Sequence, residues 1–319
     1  MQPGVSVVLP ILNEERFLAD AISAILAQQY PGELEVILAL GPSKDRTNEI
    51  ARQLHEKDSR IVLVENPTGR TAAGLNAAIA ASRFEIICRI DGHAEVSKSY
   101  IKDAVEILEK SGAVNVGGIM AAIGHTGFEN AVARAMRSPI GVGGARFHIG
   151  GTAGAADTVY LGVFKKSAII AAGGYDPRFI RAQDWELNFR LREAGGIIWF
   201  DPRLAVIYRP RPNLRALAKQ YFEYGRWRRA VTRHHKGTIN YRYLAPPIAT
   251  LIIALSLITG VALNPLFLLP AAAYASAILV CSLVIGKSFI ERLCLPAVLT
   301  TMHISWGIGF LSSPPNLVE

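Results

Sequence analysis

Cysteine and charged residues are scarce in this chain, and each scarcity excludes a class of protein. Three cysteines in 319 residues are too few for the disulfide framework of a small secreted scaffold. Charged residues make up 19% of the chain and hydrophobic residues 50%, whereas a disordered chain combines low hydrophobicity with high net charge. Glycine and proline, at 28 and 17 residues, are too ordinary for a collagen-like protein. The length leaves room for about two domains.

Acidic residues are almost absent from one segment, residues 203–242. It contains eleven Arg and Lys but a single acid, Glu223, so it carries +10, and the chain total of +8 leaves −2 for the rest. A nucleic-acid-binding protein would present a broader basic surface, so we predict no nucleic-acid partner. One basic segment beside an apolar one indicates a membrane-proximal belt. The basic residues are Arg203, Arg209, Arg211, Arg215, Lys219, Arg226, Arg228, Arg229, Arg233, Lys236 and Arg242.

Charge is absent altogether from the stretch that follows. Leu244–Gly286 has 43 residues without Asp, Glu, Lys, Arg or His, enough for two bilayer crossings at about 20 residues each. Asn264-Pro265 lies in the middle and predicts a turn between the crossings. A third, weaker apolar stretch, Leu293–Ser312, contains His303. We therefore expect about three transmembrane helices over residues 244–312, and a buried helical hairpin in a soluble core is the alternative.

The charges that flank these stretches predict their orientation. Positive charge favours the cytoplasmic side, and it occurs before the first span and again at Lys287 and Arg292, after the second. The uncharged Asn264-Pro265 turn and the tail after Ser312 are then expected outside. No signal-peptide pattern precedes Val5, so we expect a multi-pass protein of the plasma (inner) membrane whose first ~240 residues are cytoplasmic.

Short apolar runs alternate with helical spacing through residue 91. Val5–Leu9, Leu34–Leu40 and Glu85–Ile90 are predicted strands, and Glu14–Gln28 and Arg46–Lys57 are predicted helices between them. This alternation favours an α/β fold with a mostly parallel sheet and helices on both faces. Such sheets bind ligands outside the carboxyl ends of their strands. The polar residues expected there are Asn13, Glu14, Ser43, Asp45, Asp91 and His93.

The second half of the chain is less regular. Six glycines between Gly141 and Gly154 predict a mobile loop. Val159–Phe164 and Ile197–Phe200 are predicted strands, with a predicted helix over Asp184–Glu193.

Asp91 and His93 flank a glycine directly after a predicted strand. Residues two apart on an extended chain point the same way, so a carboxylate and an imidazole could share one divalent cation. This pair of ligands suits Mn²⁺, and Mg²⁺ less well. An ordinary Asp-Gly turn is the alternative.

Two further sets of residues are candidates for chemistry. Asp184 could cap the helix that it opens, or it could act as a general base toward a hydroxyl. Gln220, Arg226 and Trp227 lie on the basic segment, where an arginine can neutralise a leaving diphosphate and a tryptophan can form an apolar wall. Interfacial anchoring beside the membrane is the alternative for this second set.

Taken in order, these motifs resemble the family-2 glycosyltransferases, which have the GT-A nucleotide-sugar-binding fold. Val7–Glu15 resembles the family's first strand and nucleotide-binding turn, and Gly41–Thr47 resembles its second-strand turn. Asn66–Asn76 resembles the next segment, and Asp91–His93 stands in the place of the metal-binding Asp-x-Asp. The resemblance implies that the nucleotide sugar is bound by Pro10, Asn13, Glu14, Ser43, Asp45, Gly69, Asn76 and Asp91.

The remaining motifs imply roles at the reacting centre. Gln183–Leu187 stands where the family has a Glu-Asp pair, which implies that Asp184 is the catalytic base. Gln220 with Arg226-Trp227 resembles the Gln-x-x-Arg-Trp signature with a longer spacer, and implies contacts with the acceptor and the diphosphate. Ser138–Phe147 is similar to the succinoglycan-biosynthesis glucosyltransferase branch, which also pairs Asp-x-His with a carboxy-terminal membrane region. Leu40-Gly41 replaces the acidic pair that contacts uracil in many relatives, so the choice of base stays open.

The resemblance implies an inverting hexosyltransferase that uses a divalent cation, Mn²⁺ or Mg²⁺. The expected donor is a nucleotide-diphosphate sugar, with UDP as the first choice of nucleotide. The expected acceptor is a lipid-linked saccharide in cell-surface or exopolysaccharide biosynthesis, with a polysaccharide-export complex as a further partner. We expect a GT-A domain over 1–205, a basic segment over 206–243 and the membrane helices after it. A processive synthase and a catalytically silent scaffold are the alternatives.

Overall fold

The computed structural model describes residues 2–92 and 94–318, so His93 lies outside the described residues. The chain forms two compact units. The N-terminal unit comprises Met1–Ala121 and Gly150–Tyr208, and the C-terminal unit comprises Ala122–Ile149 and Arg209–Glu319. No sequence pattern predicts that residues 122–149 group with the last third of the chain. The expected domain boundaries at 205 and 243 stay a prediction.

One mixed sheet forms the centre of the N-terminal unit. Its strands are ordered β3-β2-β1-β4-β8-β6-β9-β5, and β7 pairs with β9. The first four strands in this order are parallel to one another, whereas β8 runs antiparallel to both β4 and β6. The strands are β1 Val5–Ile11, β2 Leu34–Leu40, β3 Ile61–Glu65, β4 Ile86–Arg89, β5 Glu95–Val96, β6 Asn115–Ala122, β7 Gly154–Ala155, β8 Tyr160–Lys165 and β9 Ile198–Tyr208. The predicted parallel pairing is therefore confirmed for β1 to β4, and the rest of the sheet is mixed.

Helices cover both faces of this sheet, as predicted. Successive side chains of a strand point to opposite faces, so Val7 packs with α1 and α4 while Val8 packs with α3 and α9. Each face thus has its own buried apolar cluster. The helices of this unit are α1 Leu18–Leu26, α2 Thr47–Lys57, α3 Thr71–Ala81, α4 Tyr100–Ser111, α8 Lys166–Ala171 and α9 Gln183–Glu193.

Apart from the last residue of β6, the described residues of the C-terminal unit form helices and the loops between them. Tyr241–Ala262, Pro265–Ile285 and Phe289–Leu311 are long and apolar enough to cross a membrane. The predicted turn is present, because the Asn264 side chain accepts a hydrogen bond from Leu266 N at 2.9 Å. The helices are α5 Gly127–Met136, α6 Pro139–Val142, α7 Arg146–Ile149, α10 Leu214–His234, α11 Tyr241–Ala262, a 3₁₀ turn Pro265–Leu268, α12 Leu269–Ile285 and α13 Phe289–Leu311.

The third apolar helix begins earlier than the sequence predicts. Ser288 caps α13 by accepting a hydrogen bond from Glu291 N at 3.1 Å, so Glu291 lies in the first helical turn. An acid is favourable there because the helix N-terminus carries partial positive charge. Arg134 Nε also donates to Glu291 at 3.3 Å, which offsets the cost of a charge beside an apolar stretch.

The prediction of a mobile loop over Gly141–Gly154 is wrong for part of that range, because two short helices lie there. Ser138 caps α6 by accepting from Ile140 N at 3.2 Å, with Pro139 at the first helical position, a place that suits proline. Gly143 has a φ of +67°, which ends α6 and lets the chain turn into α7. The glycines here mark the turns between short helices.

Two glycines bring α10 and α13 into backbone contact. A Cβ on Gly309 would lie 2.8 Å from the Phe222 carbonyl carbon, and a Cβ on Gly225 would lie 2.8 Å from Phe310 N. Both obstacles are backbone atoms, which cannot move aside as the end of a side chain can. The close packing of the C-terminal unit therefore depends on these two positions.

We predict that Gly309→Val destabilises the full chain in detergent by about 1–3 kcal/mol, the usual cost of overpacking. The measurement is the thermal unfolding midpoint. Gly144→Ala is the control, because the atom nearest to its Cβ is Arg242 Nη1 at 3.5 Å. Equal midpoints for Gly309→Val and wild type would contradict the close approach.

A second buried feature ties the start of β2 to the turn before β4. The Glu35 carboxylate is 2% exposed. It accepts from Ser6 Oγ at 2.6 Å and from both the backbone N and Nε of Arg83 at 2.7 Å. Burial by itself would raise the pKa of Glu35, but the bonds from Ser6 and Arg83 outweigh it and hold this pKa below its ordinary value.

Because the pKa of Glu35 is lowered in the folded protein, we predict that the protein loses stability in acid. The contribution of this carboxylate is complete above the ordinary value of 4.5 and is lost as the pH falls through the folded value. Glu35→Gln should lower stability at neutral pH and flatten its decline below pH 4.5, measured by denaturant unfolding across pH. The exposed neighbour Glu33, changed to Gln, should leave both unchanged. A Glu35→Gln curve parallel to that of wild type would refute the assignment.

Candidate active site

A buried arginine at the end of β4 joins two aspartates. The Arg89 side chain is 4% exposed. Its Nη2 donates to Asp91 Oδ1 at 3.2 Å, and its Nη1 donates to Asp184 Oδ1. A buried charge is costly unless it is paired and hydrogen-bonded, so both carboxylates stabilise the guanidinium. Asp91 and Asp184, which the sequence analysis selected from separate motifs, therefore both accept hydrogen bonds from Arg89.

The charge of Arg89 is kept by these partners. Burial would lower the pKa of Arg89, but the charge and hydrogen bond of Asp91, together with Tyr175 and Tyr160, outweigh it and hold this pKa above its ordinary value. The ring centroid of Tyr175 also lies 5.9 Å from the guanidinium carbon, within reach of a cation–π interaction. Arg89 is thus a fixed positive charge.

Asp184 is the second residue of α9 and does not cap it. The N-cap is Ala182, whose φ is +61° and which has no capping side chain. The Asp184 carboxylate accepts from Arg89, so the capping alternative is wrong. Its side chain is 27% exposed, which leaves the carboxylate accessible to a ligand.

The helix that carries Asp184 is anchored by a buried ion pair. Arg190 Nε and Nη2 donate to the two Glu186 oxygens at 2.7 and 2.6 Å. Arg190 Nη2 also donates to Gly174 O at 2.8 Å. A bidentate pair fixes both distance and orientation, so the start of α9 is held against the turn before Tyr175.

Asn76 holds the other side of this turn. Its Nδ2 donates to Tyr175 O at 2.7 Å, and its Oδ1 accepts from Tyr175 N at 2.8 Å. The amide predicted to bind the nucleotide sugar therefore positions the tyrosine beside Arg89. Its contact with a donor stays a prediction.

The predicted nucleotide-binding residues after β1 and β2 come together in space. Asn13, with a φ of +57°, accepts from Lys44 N at 2.8 Å through its side chain, and its own N donates to Ser43 Oγ at 3.1 Å. Asp45 accepts from Thr47 N at 3.0 Å and from Glu15 N at 3.2 Å. These bonds lock the two turns to each other.

Pro10 and Gly69 lie beside the same turns. Pro10 is in β1, where its Cβ is 3.2 Å from the position that a Cβ on Gly74 would occupy. Gly69 has a φ of +62°, and its Cα lies 3.3 Å from the Cβ position of Gly41. The ends of β1, β2 and β3 therefore meet at one edge of the sheet, as the sequence predicted.

Two carboxylates at this edge suit a divalent cation. A Cβ on Gly92 would meet Glu14 Cγ at 3.2 Å and Cδ at 3.4 Å, so the Glu14 side chain lies beside the residue that follows Asp91. Asp91 is 24% exposed, and carboxylate oxygens are ligands that hard cations prefer. Among the described residues no group of three or more His, Cys, Asp or Glu could hold a metal ion, and the predicted ligand His93 is outside them.

The three predicted residues of α10 have their own contacts within the C-terminal unit. Gln220 Nε2 donates to Tyr224 Oη at 2.9 Å, and Arg226 Nη1 donates to Glu223 at 3.0 Å. Trp227 is 3% exposed, so its ring is part of the packing of this unit. Roles toward an acceptor stay predictions.

Sequence reasoning missed Arg89 and Tyr175. A signal for Arg89 was available, because it is a lone charge within the apolar run Ile86–Ile90. Tyr175 had none, since it lies in a turn and reaches Arg89 only through the fold.

Comparison with known proteins agrees with this geometry. The sequence profile of the family described as glycosyl transferase family 2 matches residues 6–169. Succinoglycan biosynthesis protein ExoA of Rhizobium meliloti is 30% identical over 308 residues, covering 95% of this chain and 93% of that protein. The chain belongs to glycosyl transferase family 2. The resemblance predicted from the motifs is thereby confirmed.

More distant relatives of this family 2 chain are also similar. A dolichyl N-acetyl-alpha-D-glucosaminyl phosphate 3-beta-D-2,3-diacetamido-2,3-dideoxy-beta-D-glucuronosyltransferase of Methanococcus voltae is 25% identical, covering 76% of this chain and 77% of that protein. Among solved structures, the mannosyltransferase PcManGT from Pyrobaculum calidifontis, in complex with GDP-Man and Mn²⁺, has a TM-score of 0.63 at 20% identity and covers 98% of this chain and 88% of that one. TarS 1–349 of S. aureus, in complex with UDP, has a TM-score of 0.53 at 15% identity, covering 94% and 89%. The likeness to these structures confirms the predicted GT-A fold class.

We predict that Arg89→Met lowers the free energy of unfolding by about 3–5 kcal/mol, since it leaves Asp91 and Asp184 without their shared cation. Arg60→Met is the matched control, because Arg60 pairs with Asp58 on the surface and such pairs contribute about 0–1 kcal/mol. Denaturant unfolding of the full chain measures both. Similar losses for the two variants would show that the bonds from Arg89 to Asp91 and Asp184 do not stabilise the fold more than a surface ion pair does.

Proposed function

We propose that this family 2 chain is an inverting hexosyltransferase that moves a sugar from a nucleotide-diphosphate donor to a lipid-linked acceptor. The observation that carries the proposal is the cation bridge from Asp91 through Arg89 to Asp184. It lies at the carboxyl end of β4, where open α/β sheets bind their ligands. Both carboxylates are partly exposed, so substrate can reach them.

Asp184 is the proposed general base. The Arg89 guanidinium favours its ionised form, which can accept the proton of an acceptor hydroxyl. The hydroxyl oxygen then bonds to the anomeric carbon as the bond from that carbon to the diphosphate oxygen breaks. The proton stays on Asp184, the electron pair leaves with the nucleotide diphosphate, and one displacement inverts the anomeric centre.

Asp91 and Glu14 are the proposed ligands of a divalent cation, Mn²⁺ or Mg²⁺, together with His93 if its imidazole reaches the ion. Such a cation would supply positive charge opposite the leaving diphosphate. Within the chain, Arg89 orients Asp91 through its hydrogen bonds, and Gly92 leaves space beside Glu14. PcManGT was solved with Mn²⁺, which supports this choice.

The proposed donor is a UDP-sugar, placed across the ends of β1 to β4. The locked turns that carry Asn13, Ser43 and Asp45 form a preorganised rim on this edge. Pro10, Gly69 and Asn76 are further proposed contacts of the donor, on the resemblance of their motifs. Because Leu40-Gly41 replaces the acidic pair that contacts uracil in many relatives, GDP- and dTDP-sugars belong in the test.

The proposed acceptor is a saccharide linked to a membrane lipid, in the biosynthesis of a cell-surface polysaccharide. Three apolar helices support membrane association, and the names of two relatives refer to succinoglycan biosynthesis and to a dolichyl phosphate. We propose a cytoplasmic active site on an inner-membrane protein, with Gln220, Arg226 and Trp227 serving the acceptor or diphosphate. Association with a polysaccharide-export complex stays a prediction.

The test is nucleotide release by the full chain in detergent, across UDP-, GDP- and dTDP-sugars with a lipid-extract acceptor. Release from one donor is expected with Mn²⁺ or Mg²⁺ and not with EDTA. Asp184→Asn should reduce release at least about 100-fold, because general-base catalysis contributes about 10²–10⁴-fold, while nucleotide affinity stays near that of wild type.

Asp157→Asn is the matched control, since the Asp157 side chain is 70% exposed and pairs with Arg192 at 3.9 Å. It should retain full release. Asp184→Asn with near-wild-type release would contradict the base assignment. Nucleotide binding without release on any acceptor would favour the catalytically silent scaffold.

A further inference from the structure

The C-terminal unit carries the excess positive charge of the chain. Its sequence ranges, 122–149 and 209–319, contain fifteen Arg and Lys against four acids. Several of these arginines have acceptors in the structure. Arg134 donates to Glu291 at 3.3 Å, Arg226 to Glu223 at 3.0 Å and Arg233 to Ser313 O at 2.9 Å.

Arg242 is the clearest case of an unmatched cation in this unit. It is half-buried at the start of α11. Its guanidinium forms no hydrogen bond or ion pair with any residue that the structure describes; only its backbone N is bonded, to the Asn240 side chain at 3.1 Å. A partly desolvated guanidinium without an anionic partner is unfavourable. A bound anion would therefore be stabilising at this position.

A second guanidinium lies within electrostatic range of the first. The Arg228 guanidinium carbon is 4.5 Å from the ring centroid of Tyr243, the residue after Arg242. Burial lowers the pKa of Arg228, and the positive charge of Arg242 lowers it further, against an opposing effect of Tyr243. The two positive charges therefore repel each other in a partly buried place, and an anion bound to Arg242 would reduce this repulsion.

A glycine pair lines Arg242. A Cβ on Gly143 would lie 3.6 Å from Arg242 Cδ, and a Cβ on Gly144 would lie 3.5 Å from Arg242 Nη1. Because neither residue has a side chain, the backbone between α6 and α7 passes the guanidinium without covering it.

The surroundings indicate that the ligand has an apolar part. Tyr241 is 80% exposed and Ile239 is 52% exposed, on either side of the α11 N-cap. Farther along α11, Ile248 and Leu251 are 50% and 55% exposed. Arg242 therefore lies where the apolar helix α11 begins, and a membrane-spanning helix meets the lipid headgroups at its end.

We propose that Arg228 and Arg242, with the Gly143-Gly144 backbone, bind the phosphate of a membrane lipid whose chain lies along α11. Arginine suits this ligand because its planar fork matches phosphate oxygens. The inference rests on the proposed function and deepens it, since this pair would hold the lipid phosphate of the acceptor, in addition to the role proposed for Arg226, which pairs with Glu223. A polyprenyl diphosphate and an anionic phospholipid both carry a phosphate group next to an apolar chain.

The test is equilibrium binding to the full chain in detergent micelles. The three probes are farnesyl diphosphate, phosphatidylglycerol in mixed micelles and inorganic pyrophosphate. Changing both Arg228 and Arg242 to Gln should weaken binding of the true lipid probe by at least about tenfold, since each hydrogen bond to a charged group contributes about a factor of ten. The probe that shows this loss identifies the source of the phosphate. Pyrophosphate should bind more weakly because it lacks the chain.

Arg215→Gln with Lys219→Gln is the matched control, because both residues are exposed on α10 and the pair removes the same charge. Its affinity should stay within about twofold of wild type. Equal losses in the two double variants would show a diffuse basic surface and overturn the inference. No loss in the Arg228 and Arg242 variant would overturn it as well.

A third variant keeps the test decisive if the double variant does not fold. Gly144→Asp places a carboxylate opposite Arg242 Nη1, so it should raise the unfolding midpoint and abolish lipid binding. Unchanged binding in a folded Gly144→Asp protein would refute the site. Arginine-dependent binding without nucleotide release from any donor would count against the proposed function alone, and release without such binding would count against this inference alone.

Discussion

The active site depends on one buried charge. Arg89 ends a strand whose four residues are all buried, and a guanidinium in such a place requires carboxylates around it. Asp91 and Asp184 meet that requirement, one from the same chain segment and one from a helix ninety-five residues away. The pairing fixes α9 relative to β4. It also places a candidate metal ligand and a candidate base on one cation, so their separation is set by the fold of the N-terminal unit.

Much of this was predictable from short-range patterns. Alternating apolar runs predicted β1 to β4 and their helices, and a charge-free stretch predicted the apolar helices after Leu244. What could not be predicted depends on contacts between distant residues. The bond from Arg89 to Asp184 and the hold of Asn76 on Tyr175 exist only in the folded sheet. The grouping of residues 122–149 with the C-terminal helices likewise depends on contacts such as that of Arg134 with Glu291, which no periodicity reveals.

The C-terminal unit combines close packing with excess charge. Gly225 and Gly309 let α10 and α13 touch along their backbones, which fixes the basic face of α10 beside the apolar helices. The same scarcity of acids that marks the sequence between residues 203 and 242 leaves Arg242 without an anion among the residues described. The proposed phosphate-bearing ligand would lie between the glycine pair and the arginine pair, and a lipid-linked acceptor carries such a phosphate.

The proposed reaction is a single displacement assisted by Asp184. Its most direct test is the anomeric configuration of the product, which nuclear magnetic resonance measures from the coupling constant of the anomeric proton. A donor of α configuration should give a β-linked product, because attack opposite the departing diphosphate inverts that carbon once. A product that keeps the configuration of its donor would contradict the account, since retention requires a second displacement or attack from the same face as the leaving group.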